Sequence, residues 1–311
     1  MKVTHCCLFL LAGWSCAESP ADTFPDLPGG AQAVSLLGDT LYPVAAAADV
    51  QQQREQELAD ARAAYEAQPD DADAIIWLGR RAAYLGNYRE AVRIFSEGMD
   101  KHPDDARMYR HRGHRFITLR MFDPAVVDLN RAAELTEGAE DEFEPDGQPN
   151  ERNIPTSTLQ TNIYYHLGLA YYLQADYANA LEAYRACLER SKNPDMLVAT
   201  SHWLYMTLRR MERDDEAAAV LEAIDADMDV IENHAYHRLL LMYKGELEPE
   251  ALLGSDDDAV QSATLAYGVA NWHFYNGRES EALELFQRIL EGEGWAAFGY
   301  IAAEAELAAI R

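Results

Sequence analysis

The side chains best suited to chemistry in this sequence are arginines, histidines and one isolated cysteine. Seven of the nine histidines, His111, His114, His166, His202, His234, His237 and His273, fall in stretches with helical apolar spacing. His111 and His114, and again His234 and His237, are three residues apart, so each pair would present two imidazoles on one helix face, as metal sites do. Glu232 is close to the second pair, but spacing supplies no third ligand and neither pair belongs to an HExxH. Histidines that fill space between helices with one hydrogen bond each are the simpler expectation. Cys187 stands alone at a small, packed position, where a thiol is inert rather than nucleophilic. There is no GxSxG, P-loop, GxGxxG or CxxC, so the expectation is no catalysis, no cofactor and no metal.

Only four of the 26 basic residues are lysine; the rest are arginine, which suits bidentate contacts with carboxylate or phosphate, although a GC-rich coding sequence gives the same bias. Arg112 sits at an expected core position and needs a buried partner, for which Glu134 or the acidic stretch after residue 137 is the candidate. The formal net charge of −27 argues against nucleic acid or an anionic membrane surface as partner.

The elements that must position these groups are repeated. Between Ala72 and Asp105, Leu78, Gly79, Ala82, Gly86, Tyr88, Ala91, Phe95, Gly98 and Pro103 have the spacing of two short antiparallel helices joined by a tight turn. A shift of 34 residues places Gly79 on Gly113, Tyr88 on Phe122, Ala91 on Ala125 and Phe95 on Leu129. A third copy carries Leu167, Gly168, Tyr171, Tyr177, Ala180 and Tyr184, displaced by an insertion of about 21 residues. A weaker fourth has Leu204, Leu208, Ala217 and Leu221, a fifth keeps Met242 and Ala251, and a sixth has Gly277, Ala282 and Phe286. This pattern resembles the tetratricopeptide repeat, a unit that cannot bury its apolar face alone. The resemblance implies an all-α, right-handed superhelix of about five to six antiparallel helix pairs with caps at both ends.

Residues 1–16 read as a signal peptide. Cys16, preceded by Ser15, is the expected lipid-attachment site, with plain secretion or a wrongly placed start as the other readings. The expected location is the cell envelope, lipid-anchored or periplasmic or secreted. Residues 17–43 read as a flexible tether. The solenoid then spans 44–311: an N-cap helix at 44–68, repeats at about 72–137 and 159–292, an acidic insert at 138–158 and a C-cap helix at 295–310. The insert has three prolines and five acids in seven residues, so neither helix nor strand is expected there.

In tetratricopeptide arrays the first helix of each pair lines a concave groove. The resemblance therefore implies ligand contacts from Arg80, Arg107, Arg110, His114, Asn162, Tyr165, His202, Arg209, Asn233 and Tyr236. Asp73 is the only acid at these inner positions, so the face is expected to be basic in its first half and aromatic and amide-rich in its second. The corresponding expectation is a non-catalytic scaffold that recruits a protein or extended peptide, acidic or C-terminal. Two alternatives are a receptor for a small anionic ligand held between the arginines and a closing insert, and a metal-dependent enzyme using the histidine pairs. The insert could also fold back and neutralise the arginines itself. The carboxylate clamp of chaperone-binding arrays is not matched, because repeat one has no lysine on its inner face.

Overall fold

The computed structural model describes residues 24–254 and 259–310. Residues 1–16, the expected signal peptide, and with them Cys16, lie outside these residues. Helix α1 (Ala48–Ala67) precedes four successive antiparallel pairs: α2 (Ala72–Tyr84) with α3 (Tyr88–Lys101), α4 (Ala106–Thr118) with α5 (Phe122–Leu135), α6 (Leu159–Tyr172) with α7 (Tyr177–Arg190), and α8 (Pro194–Arg210) with α9 (Asp214–Leu221). A single helix, α10 (His234–Tyr243), separates these from the pair α11 (Ala259–Tyr275) and α12 (Glu279–Leu290), and α13 (Phe298–Ile310) follows. The fold is an all-α solenoid.

Small residues set the approach within the first three pairs. A methyl group on Gly79 would lie 2.5 Å from the Phe95 ring, one on Gly113 2.8 Å from Leu129 Cγ, and one on Gly168 2.6 Å from the Tyr184 ring. The turns repeat too. Gly86, Arg120, Ala175, Glu212, Gly245 and Gly277, one after each leading helix, all have left-handed backbone, with φ of 78°, 63°, 57°, 58°, 80° and 76°. Three of these six are not glycine, a strained choice for an L residue. The side chains of Asp71, Asp105, Thr158, Asp176 and Asn193 cap the helices that follow them.

Four expectations are corrected. Among the described residues the fifth repeat has no second α-helix: a single 3-10 turn, Pro249–Ala251, stands in its place, because Gly245, Pro249 and Gly254 leave no uninterrupted run to propagate one. The expected tether is, from Phe24 on, a packed strap. Its two-residue strands β1 (Ala33–Val34) and β2 (Thr40–Leu41) pair, Ala31, Ala33 and Leu41 are buried, and Arg89 donates to the carbonyl of Pro25. Strands this short leave no periodicity to read. Arg112 pairs neither with Glu134 nor with the insert, but bidentately with buried Asp128 on α5, at 2.7 and 2.8 Å.

The fourth correction concerns the C-terminus. Helix α13 packs on α11 and α12 as a cap should, but it also reaches back across the inner side of the array to the second repeat. Buried Glu304 accepts from Arg120 Nε (3.1 Å) and Nη2 (2.7 Å) and from the Leu36 amide. Glu306 pairs with Arg210 at 2.6 Å. Just before α13, the Trp295 ring meets Tyr88 edge-on at 5.4 Å and its Nε1 donates to the Tyr42 carbonyl. One buried apolar cluster therefore runs from Ala33 and Leu41 in the strap to Ala303 in α13. The array is closed on itself by its two ends.

Candidate functional site

The inner arginines are nearly all occupied. Arg107 lies 2.6 Å from both Asp73 and its own helix cap Asp105. Arg209 meets Asp214 at 2.8 Å and stacks on Tyr275. Arg110 is buried and faces Glu144, from the acidic insert, at 3.1 Å, while its Nη1 donates to His111 Nδ1 at 2.8 Å. Nδ1 of His111 is thus an acceptor, and Nε2, 3.1 Å from the other Glu144 oxygen, carries the proton. Burial, reinforced by Arg110, holds His111 down at about 4. Burial pushes the Glu144 carboxyl up, but Arg110 and His111 outweigh it and keep it well below the usual carboxylate range. The insert does fold back on the array. It is pinned by Arg81, which donates to the Gly147 carbonyl, by Arg152 on Asp229 at 2.8 Å, and by Asn193, which donates to the Thr156 carbonyl.

Arg80 is the exception. Its guanidinium donates to the Tyr84 hydroxyl at 3.2 and 3.3 Å and covers the Trp77 ring at 4.4 Å, and among the described residues no carboxylate forms an ion pair with it.

The aromatic and histidine positions form internal stacks. His114 packs on His166 at 4.2 Å, and both meet Phe298 of α13. Trp203 Nε1 donates to the Tyr165 hydroxyl, which bonds the Tyr236 hydroxyl at 2.8 Å. His202 is fully enclosed between Tyr236 and Tyr243, and burial pushes it down to about 3. Burial does the same to His166. The paired histidines are drawn into different contacts: His237 bonds the Asp225 carbonyl, and among the described residues no group of three or more His, Cys, Asp and Glu could hold a metal ion. Cys187 is buried against Thr161 and Thr200, and burial pushes its thiol up to about 11.

A chamber lies open between the insert and the leading helices, made of two adjoining cavities of about 310 and 240 Å³. Arg80, Tyr84, Arg110, Glu144 and Gln148 line the first; Tyr165, His166, Asn233, Tyr236 and Phe298 line the second. Thr156, Ser157, Asn162 and Glu232 border both. Asn162 donates to Glu144 at 2.7 Å and to Ser157 at 3.0 Å, and Asn233 donates to the Asp195 carbonyl at 3.4 Å. Of the expected ligand residues, Arg80, Arg110, Asn162, Tyr165, Asn233 and Tyr236 reach the chamber. Arg107, His202 and Arg209 are committed to other contacts, and His114 lies behind Phe298 on a separate cavity. Glu144 belongs to the insert that the sequence allows to fold back onto the arginines, whereas Glu232 and Phe298 lie outside the inner positions of the repeat and are not among the expected ligand residues.

No protein-family model matches the chain. Tetratricopeptide repeat protein 12 of Mus musculus is 26% identical over 155 residues, half of this chain but 19% of that protein, and its Homo sapiens counterpart is 24% identical over 155 residues. The chain has the architecture of a tetratricopeptide repeat array. This repeat protein spans about a fifth of the length of the curated relatives it matches. Among solved structures, YrrB, described as a tetratricopeptide repeat protein with an unusual peptide-binding site, is 15% identical, with a TM-score of 0.42, 74% of this chain and 91% of that one covered. A structure of MamA is 14% identical, with a TM-score of 0.43, covering 66% and 100%.

Proposed function

We propose that this repeat protein is a non-catalytic scaffold of the cell envelope that holds the carboxylate of a partner peptide, at its C-terminus or on an acidic side chain, in the chamber between the insert and the leading helices. Arg80 carries the reading: it is the inner arginine at the chamber wall with no carboxylate in ion-pair contact among the described residues. A guanidinium already oriented by Tyr84 and Trp77 loses little freedom on taking a bidentate carboxylate. Asn162 and Asn233, at the starts of their helices, have their side-chain N–H groups engaged with Glu144, Ser157 and the Asp195 carbonyl, and offer their side-chain oxygens as acceptors to the N–H groups of an extended backbone. The closing helix α13 leaves room for a peptide end or a short segment rather than for a long strand laid along the whole inner face. The envelope location rests on the sequence of residues 1–16 alone.

Capture from an envelope extract tests this with three forms of the chain: native, Arg80→Glu, and Val127→Glu on the outer surface, where Val127 is 68% exposed. A partner held by the native chain and by Val127→Glu but lost with Arg80→Glu is the expected result. Retention by Arg80→Glu overturns the reading.

A further inference from the structure

The second cavity has a chemistry of its own. Its lining contains neither lysine nor arginine, and its one carboxylate, Glu232, sits at the rim it shares with the first cavity. Glu232 accepts from the Thr156 hydroxyl and from the Asn150 side-chain amide at 3.3 Å, both neutral donors that orient the carboxylate without cancelling its charge. Among the described residues no cation forms an ion pair with it. The rest of the lining includes two aromatic side chains, Tyr236 and Phe298, and two apolar ones, Met196 and Ala199. His166 donates through Nδ1 to the Asn162 carbonyl and contributes a neutral ring.

A purely apolar side chain entering here would strip water from Glu232 and give nothing back. An anion would meet like charge. A cation on an aliphatic stem satisfies both halves: the stem lies on Met196 and Ala199, the head reaches Glu232, and the ring faces attract it further. At about 240 Å³ the cavity holds roughly eight waters, enough for one long side chain and too little for a second residue.

We propose that the second cavity is a specificity pocket for a lysine or arginine side chain of the bound partner, with Glu232 as its counter-charge. This rests on the chamber being the ligand site, but not on a carboxylate at Arg80. The partner is then a segment carrying both signs, its carboxylate toward Arg80 and its cation toward Glu232.

The test uses the full chain with its methionine methyl groups labelled for NMR, the Met196 signal being assigned with Met196→Leu. The probes are n-butylammonium, 1-pentanol and pentanoate, unbranched chains of comparable length that differ in charge. n-Butylammonium should shift the Met196 signal saturably, at least fivefold more tightly than 1-pentanol and with pentanoate weakest. Glu232→Gln should remove at least two-thirds of that preference and leave 1-pentanol unchanged. In the native chain, 0.5 M NaCl should weaken the amine alone; this comparison needs no variant. Equal binding of the three probes, or an amine indifferent to both Glu232→Gln and salt, overturns the proposal. No Met196 shift with any probe overturns the proposal and the chamber together, whereas amine selectivity with Arg80→Glu still capturing its partner overturns only the carboxylate reading.

Discussion

Replacing Arg120 by glycine separates what the local backbone asks for from what ring closure asks for. Arg120 has φ of 63°, where repeat one uses Gly86 at the equivalent turn, so glycine should relieve strain of about 1 kcal/mol. The same side chain is buried, donates twice to Glu304 and also donates to the carbonyls of Thr118 and Trp295. Removing it leaves Glu304 as a buried carboxylate without a cation, a loss of about 3–5 kcal/mol. The second effect wins, so Arg120→Gly should be less stable by about 2–4 kcal/mol, or roughly 4–16 °C in Tm for a chain of this size. Urea and thermal unfolding followed by tryptophan fluorescence measure it. Arg120→Gly/Glu304→Leu should recover part of the loss, because the uncompensated carboxylate is removed while the space left by the arginine side chain is not filled. Ala175→Gly, at φ of 57° with an exposed side chain, should instead gain up to about 1 kcal/mol. If Arg120→Gly proves as stable as the native chain while Ala175→Gly behaves as stated, the closing pair does not hold the ends together.

Asp128→Ala should cost about 3–5 kcal/mol by leaving Arg112 buried beside Ser96 alone, and Arg112→Leu/Asp128→Leu much less; equal losses in urea would refute the pairing. Stability should fall between pH 7.5 and 5.0. His111, His166 and His202 are held at about 4, 3 and 3 when folded, so the unfolded chain takes up their protons first as pH drops through about 6.5. Each then removes up to about 1.4 kcal/mol per pH unit, and Glu144 adds a loss of the same sign at lower pH. Identical urea midpoints at the two pH values would contradict the burial of these rings.

The helix pairs were legible because a 34-residue repeat forces the same small residue into the same close approach each time, as Gly79, Gly113 and Gly168 do. The turn after each leading helix was only half legible, since Arg120, Ala175 and Glu212 take a backbone that sequence reads from glycine. The repeats alone leave two expectations for the inner face, an open basic groove and arginines neutralised by the insert, for a definite reason. Counting charges on the repeats alone finds arginines and one acid, whereas the acids that answer them come from outside the repeats: Glu144 from the insert, Glu304 and Glu306 from the closing helix. A trace of this was present in FGYIAAEAELAAI, whose only charges are two glutamates in an apolar helix. A solvent-facing cap has no need for Ile301, Ala302 and Ala303 all to be buried around them. The strap carried no such trace, because its packing depends on single residues such as Leu41 meeting a surface made by the other end of the chain.

Hydrogen exchange of α13 in the native chain tests the closed array most directly. The structure predicts that amides from 298 to 310 exchange as slowly as those of α4 and α11, and that Arg120→Gly exposes α13 and the strap at 31–41 together. A closing helix that exchanges within seconds, like a frayed end, while α4 and α11 stay protected would contradict closure and reopen the inner face as a continuous groove.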